Sequence, residues 1–197
     1  MPKFVHKTAD VSEESTIGEG SCVWNWAQVR EGVSIGQRCA IGKGVYIDSH
    51  VLIGNDVKIQ NNASIFHGVT IEDGVFVGPH VCFTNDLYPR AINSDLSRKE
   101  PSDWMITPTR VCFGAAIGAN STIRCGVTIG KWAMIGAGSV VIEDVPDYGL
   151  LYGVPARLNG YVCECGMRIV DGGHCEQCGF QATVSANGKL HVSIFGS

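Results

Sequence analysis

Four cysteines near the C-terminus carry the most specific chemistry in the chain. Cys163-x-Cys165-Gly and Cys175-x-x-Cys178-Gly form two knuckles with nine residues between them. Four thiolates at that spacing suit tetrahedral Zn²⁺, and four sulfur ligands leave the metal no open position for catalysis. The expected role is structural, because a segment of about 37 residues buries too little core to fold without a staple. Thr183 and Val184, then Leu190 through Ile194, alternate on either side of Asn187-Gly188, a hairpin turn signal. Together these predict a small zinc ribbon over residues 161–197. The first knuckle is tight, which makes His174 an alternative ligand. The competing reading is a pair of redox-sensitive thiol couples.

A second set of reactive groups emerges only from a period. An aliphatic or aromatic residue falls at every sixth position from Val11 to Phe83, and the beat returns from Val111 to Val141. Three hexads close a coil of eighteen residues, so residues eighteen apart stack about 4.8 Å from each other, the ordinary spacing between strands. One column then reads Glu31, Ser49, His67, Asn85, and its neighbour reads Arg30, Asp48, Phe66, Thr84. A histidine at a solvent corner is more often a plain surface residue. His67, stacked under Asn85 at the root of a long break in the rhythm, is nevertheless the best general-base candidate in the chain. His50 and His80 occupy another position of the repeat and do not share this column.

The elements that must position these groups follow from the same hexads. In a short strand, residues two apart face the same way, so the small residue two places before each aliphatic also points inward. Ser15, Ala27, Cys39, Ala63 and Ser121 are of this kind, and glycine commonly follows the aliphatic, as at Gly18, Gly36, Gly54 and Gly118. The prediction is an all-β parallel β-helix over residues 1–160, interrupted by an inserted loop at 84–110 and followed by the zinc ribbon. A β-sandwich with chance spacing does not account for so long an unbroken period. The loop contains Leu87, Tyr88 and Trp104, and such an excursion from a regular prism is where a binding cleft is made. The segment from Asp147 to Arg157 starts a cap over the open end. Trp24 and Trp26 sit at a corner, either packing against a neighbouring chain or offering a platform to a flat ring.

Composition narrows the functional classes. The 197-residue chain has a formal net charge of -4 and no Lys/Arg run, which argues against a nucleic-acid polymer as partner. Apolar stretches are broken by glycine or charge every few residues, so no membrane insertion is expected. The N-terminus lacks the apolar segment of a signal peptide, so the expected location is cytoplasmic. The remaining five of the nine cysteines are scattered through the hexads. Cys39 takes an inward position, and Cys22, Cys82, Cys112 and Cys125 lie at or near corners; all are expected to be free thiols.

The stretches Lys58-Ile-Gln-Asn-Asn-Ala-Ser-Ile-Phe-His-Gly-Val-Thr-Ile-Glu-Asp-Gly-Val-Phe-Val-Gly-Pro, Phe83-Thr-Asn-Asp-Leu-Tyr-Pro-Arg-Ala and Gly149-x-x-x-Gly-Val-Pro-Ala-Arg157 resemble the left-handed β-helix acyltransferases. More narrowly, they look like N-acetyltransferases of nucleotide-linked 3-amino sugars, including those that acetylate UDP-2-acetamido-3-amino-2,3-dideoxyglucuronate for bacterial surface polysaccharide. The resemblance covers residues 11 to about 160 and supplies the handedness, since connection rules alone favour the right-handed form. It implies a homotrimer with acetyl-CoA in the groove between prisms and the amino sugar near the loop. Asn85 matches the family's asparagine beside the reacting amine, whereas His67 stands where that family often carries an acid. The resemblance further implies acetyl-CoA contacts around Ala115, Gly118 and Ala133, with Lys131 and Arg157 as phosphate partners, and an amino-sugar site drawing on Asn61, Asn62, Asp86, Arg90 and Arg30.

Three other functions compete with this one. The chain is an acyltransferase for a different small acceptor, a non-catalytic trimeric scaffold, or a γ-type carbonic anhydrase. The last needs three histidines converging on an open Zn²⁺ site, and none of the six histidines form a five-apart pair on the later coils.

Overall fold

A two-residue strand cannot hold itself, so each strand of this chain depends on the coils above and below. In the computed structural model, which describes residues 2–169, 173–184 and 190–192, the strands stack into three parallel sheets that form the faces of a prism. Face one runs through Phe4–Val5, Cys22–Val23, Ala40–Ile41, Lys58–Ile59, Phe76–Val77, Ala116–Ile117 and Met134–Ile135. Face two includes Gln28–Val29, Tyr46–Ile47, Ser64–Ile65, Cys82–Phe83 and Thr122–Ile123, and face three includes Ser34–Ile35, Leu52–Ile53, Val69–Ile71 and Thr109–Val111. Register is the predicted one: Ser64 pairs with Tyr46 below and Cys82 above, eighteen residues in each direction.

The hexads build the core as expected. Isoleucines 41, 47, 59, 65, 71, 117, 123, 129 and 135 are fully buried, and so are Ala27, Val45, Ala63, Val81 and Ala115 from the positions two before the aliphatics. Cys39 is inward, its thiol directed at the Gly54 carbonyl 3.1 Å away. Cys22 and Cys82 lie near corners, each as the first residue of a two-residue strand and directly before an inward residue, so each faces outward. Cys125 is at a corner but buried. All the described cysteines are unpaired by disulfides.

Three corners join the faces. Corner one leads from face one to face two, corner two from face two to face three, and corner three back to the next coil. The excursion leaves from corner two after Phe83 and rejoins at Thr109, two residues earlier than the rhythm suggests, because Thr109 is already inward and buried. Cys82 then pairs with Thr122, forty residues on, in the same parallel manner. Twenty-two residues beyond a normal coil are thus looped out without disturbing the ladder. At the far end, Gly149–Gly153 and Ala156–Tyr161 form an antiparallel hairpin that extends face one past Met134–Ile135 and begins the cap. Ala182–Val184 pairs antiparallel with Leu190–Val192, as the alternation predicts; Asn187-Gly188 lies outside the described residues.

Candidate functional site

Corner two of the third and fourth full coils gathers the groups that the column arithmetic brings together. Asp48 is the centre of this corner, with its side chain only 13% exposed. Its Oδ1 accepts hydrogen bonds from the Ser49 amide at 2.8 Å, the Tyr46 hydroxyl at 3.1 Å and Arg30 Nη1 at 3.1 Å, and its Oδ2 accepts from the His67 amide at 3.2 Å. Burial raises the Asp48 pKa, but these amide, hydroxyl and guanidinium donors outweigh it and hold the carboxyl below the usual carboxylate range. Ser49 Oγ lies 3.1 Å from His67 Nδ1. His67 Nε2 and the Asn85 side-chain amide make no hydrogen bond among the described residues, and both side chains are half-buried. The Asn85 backbone carbonyl receives the Thr107 amide, which ties the column to the returning limb of the excursion.

His50 belongs to this corner too, contrary to its expected separation. Its ring meets that of His67 edge-on, with centroids 5.6 Å apart and planes at 83°. The column rule follows backbones, and it misses a side chain that leans sideways. His50 has φ of 58°, and a Cβ on Gly32, one coil below, would meet its ring at 2.3 Å. A glycine beneath is what lets this histidine fold down beside its neighbour.

Beside the corner, the excursion shapes an open cleft of about 410 Å³ whose walls include Asp86, Tyr88, Lys99, Trp104, Met105 and Thr107. Its carboxylates are engaged in shaping the loop. Asp86 accepts the Tyr88 amide at 2.8 Å, and Asp103 accepts the Glu100 amide at 2.8 Å and the Asn93 side chain at 3.1 Å. The returning limb presses on the solenoid: a Cβ on Gly68 would lie 2.4 Å from Ile106. Glu72 then clamps the rejoined strand, accepting from Arg110 Nε at 2.6 Å and the Phe113 amide at 2.9 Å.

Of the residues expected around an amino sugar, Asp86 alone lines this cavity. Arg90 is exposed and bonds the carbonyl of its own neighbour, Pro89, at 3.0 Å. Arg30 is engaged by Glu31 at 2.7 Å and Asp48 at 3.1 Å. Asn61 and Asn62 lie at corner one, one face away from His67, where Asn61 accepts the Lys43 amide at 3.0 Å. A displacement of six residues in sequence is a third of a turn in space.

On the later coils Ala115 and Ala133 are buried, and their amides are already bonded to the carbonyls of Cys112 and Gly130 at 3.2 Å. They present no free donor to a cofactor. Gly118 is at corner one and Lys131 at corner three, the two edges of face one. Lys131 is exposed, with its amide held by Asp147 at 2.7 Å. Arg157 does not join it: it lines a separate cavity of about 230 Å³ with Glu143 and Asp144.

The four C-terminal thiols converge. The sulfurs of Cys163, Cys165, Cys175 and Cys178 all lie within 4.8 Å of one another, with Cys163 Sγ at 3.0 Å from Cys165, 3.2 Å from Cys175 and 3.8 Å from Cys178. Four sulfurs around Zn²⁺ at about 2.3 Å stand roughly 3.8 Å apart, so the donor set fits such an ion with small adjustments. Burial, with hydrogen bonds to Cys165 and Cys175, pushes the Cys163 thiol up to about 12. The Cys178 amide and the Cys163 thiol draw Cys175 down to about 6. A cation is what lets all four be thiolates together. His174 is outside the cluster and exposed. The knuckle docks on the last coil, with Phe180 5.4 Å from the Tyr148 ring and the Tyr148 hydroxyl 3.3 Å from Glu164.

Comparison with known proteins identifies the scaffold. The family model for bacterial transferase hexapeptide (six repeats) matches residues 14–49, 50–85 and 108–143, more than half of the chain. The chain belongs to this hexapeptide transferase family. Its solenoid is accordingly the left-handed β-helix. Within the family, it is 55% identical over 73 residues to a dTDP-3-amino-3,6-dideoxy-α-D-galactopyranose 3-N-acetyltransferase of Aneurinibacillus thermoaerophilus, a stretch that is 36% of this chain and 38% of that protein. Two solved structures are similar over about two thirds of each chain. A hexapeptide-repeat acetyltransferase of Vibrio cholerae complexed with acetyl coenzyme A has 28% identity and a TM-score of 0.55, covering 66% of this chain and 70% of that one. A galactoside acetyltransferase in complex with coenzyme A has 27% identity and a TM-score of 0.57, covering 68% of this chain and 66% of that one. Among the described residues of this hexapeptide transferase, no helix is long and apolar enough to cross a membrane.

Proposed function

We propose that the chain transfers acetyl from acetyl-CoA to the 3-amino group of a nucleotide-linked sugar, in the cytoplasm, on a route to bacterial surface polysaccharide. The observation that carries this reading is the pair of unengaged groups at the mouth of the excursion, His67 Nε2 and the Asn85 amide, on a scaffold whose 55% identical relative is named for that chemistry. The acceptor amine must be neutral to attack. The His67 imidazole takes the amine proton as nitrogen adds to the thioester carbon. Asn85 orients the amine or donates its N–H to the oxyanion as the tetrahedral intermediate forms. Collapse expels the CoA thiolate, which recovers the proton, leaving the amide.

The cavity of the excursion takes the sugar nucleotide, with Asp86 and Lys99 at its walls. Acetyl-CoA runs along face one of the later coils, where Gly118 gives close approach and Lys131 a phosphate partner. The groove it occupies is completed by a neighbouring prism in a homotrimer, for which the exposed Tyr88 and Met105, 81% and 86% accessible, are the surfaces to be covered. Zinc held by the four cysteines is structural and takes no part in the transfer.

The decisive experiment offers acetyl-CoA with UDP- and dTDP-linked 3-amino sugars, the matching 3-hydroxy sugars, a galactoside and serine, and measures CoA released. Turnover with an amino sugar nucleotide and none with its hydroxy counterpart is expected. Turnover confined to the galactoside or serine, or absent from the whole panel, overturns the proposal.

A further inference from the structure

The groups around His67 differ from those at the other corners in one respect: among the described residues, Asp48 is the carboxylate that accepts backbone amides from both its own coil and the next. Asp48 accepts the amide of Ser49, on its own coil, and the amide of His67, on the next. Those two residues are the ones whose side chains meet, Ser49 Oγ to His67 Nδ1 at 3.1 Å. One carboxylate therefore fixes the backbone at both ends of the hydrogen bond that orients the imidazole. Tyr46 and Arg30 hold the carboxylate in turn, and the Tyr46 ring is itself seated against Phe66, with centroids 5.6 Å apart. The imidazole has His50 edge-on at its side. With Nδ1 engaged by Ser49, Nε2 is the nitrogen left without a hydrogen-bond partner among the described residues. In the equivalent column positions of the neighbouring coils stand Arg30, Phe66, Thr84 and Arg124, so no other coil offers a carboxylate there.

We propose that Asp48 is a positioning residue for the transfer reaction, acting through His67. Its first effect is geometric, presenting Nε2 to the acceptor amine in one orientation. Its second is electrostatic. Arg30 is shared between Glu31 and Asp48, so one cation stands against two carboxylates and the corner keeps a net negative charge. That charge is in place before the reaction begins, and it favours the imidazolium that forms as the amine loses its proton. The inference rests on the reading of His67 as the proton acceptor.

A double-mutant cycle on the full chain, with acetyl-CoA and the acceptor found above, separates the two ideas. Asp48→Asn keeps the size of the side chain and removes its charge. It is expected to lower kcat by at least about tenfold, part of the range a general base supplies, with the KM for acetyl-CoA unchanged. In the His67→Ala background the same substitution is expected to cost nothing further. The ¹⁵N signals of the His67 ring report the tautomer directly and should shift from one dominant form to a mixture in Asp48→Asn. Equal losses in both backgrounds, or full kcat in Asp48→Asn, overturn the inference while leaving His67 as the base. Full kcat in His67→Ala overturns the base reading, and the inference with it. Should Asp48→Asn give no soluble protein, Tyr46→Phe removes one donor to Oδ1 and keeps the ring contact. It should lower kcat about two- to fivefold, again only when His67 is present.

Discussion

Corner two and the cysteine knuckle both collect polar side chains from residues distant in sequence, but they leave opposite kinds of surface. In the knuckle, four sulfurs gather within 4.8 Å of one another, and a single ion would satisfy them all. At corner two, the donors and acceptors around Asp48 are satisfied internally, while His67 Nε2 and the Asn85 amide have no hydrogen-bond partner among the described residues. Convergence alone is therefore no mark of catalysis. What separates a staple from a site is whether hydrogen-bonding capacity remains once the structure is complete.

The largest effect should come from emptying the knuckle. Structural zinc in small modules contributes about 10–16 kcal/mol of binding free energy at neutral pH. Purified chain is expected to carry one zinc per chain. Chelation or Cys163→Ser should remove it and expose residues 161–184 to protease while the β-helix signal in circular dichroism stays. Metal retained by Cys163→Ser would break the contrast from this side.

Next in size is the corner itself. His67→Ala should lower kcat by about 10²–10⁴, the usual worth of general-base assistance, without loss of zinc. Asn85→Ala should be at least as damaging. Near-full kcat in His67→Ala across pH 6 to 9 would mean that the amine loses its proton elsewhere.

A smaller effect is expected at Gly68, adjacent to His67. Its φ is 91° and an added Cβ would approach Ile106 to 2.4 Å. Forcing alanine into such a conformation costs about 1–3 kcal/mol, or roughly 2–12 °C in Tm for a chain of this size. Because the displaced neighbour is the returning limb of the excursion, the KM for the acceptor should rise more than that for acetyl-CoA.

The smallest effect is at corner three, which serves as the control. Arg38 grips Asp56 in a two-point ion pair at 2.6 and 2.7 Å, and both side chains are more than half exposed. Stacked one coil apart like Ser49 and His67, this pair leaves no unengaged group. Exposed pairs contribute little, so Asp56→Asn should leave kcat unchanged and move Tm by no more than about 4 °C. A large loss of activity there would show that stacking rather than spare valence is what matters.

Much of this was legible in the sequence because the hexad converts number into height. The period placed Ile41, Ile59 and Ile65 in the core, and adding eighteen gave the ladder register, Ser64 over Tyr46 and under Cys82. The cysteine spacing likewise led to the cluster that forms. The arithmetic does not reveal where a side chain leans. It missed the contact of His50 with His67, and it could not show that Arg30 is engaged by its neighbours. Asn61 and Asn62, six and five residues before His67, lie at corner one, a face away from it within one chain. Arg157 lies beyond the last hexad, in a hairpin whose direction no period dictates, and there it sits with Glu143 and Asp144 rather than Lys131.

The forty-residue step from Cys82 to Thr122 keeps the same parallel pairing as the eighteen-residue steps elsewhere. The two ends of the excursion thus behave as a socket, and what is plugged into it makes no demand on the ladder beyond returning to Thr109. Relatives could exchange whole excursions, of other lengths and linings, while Asp48, His67 and the later coils stay as they are. Acceptor choice and acetyl delivery would then diversify on separate evolutionary clocks, and a grafted excursion should carry its preference for an acceptor with it.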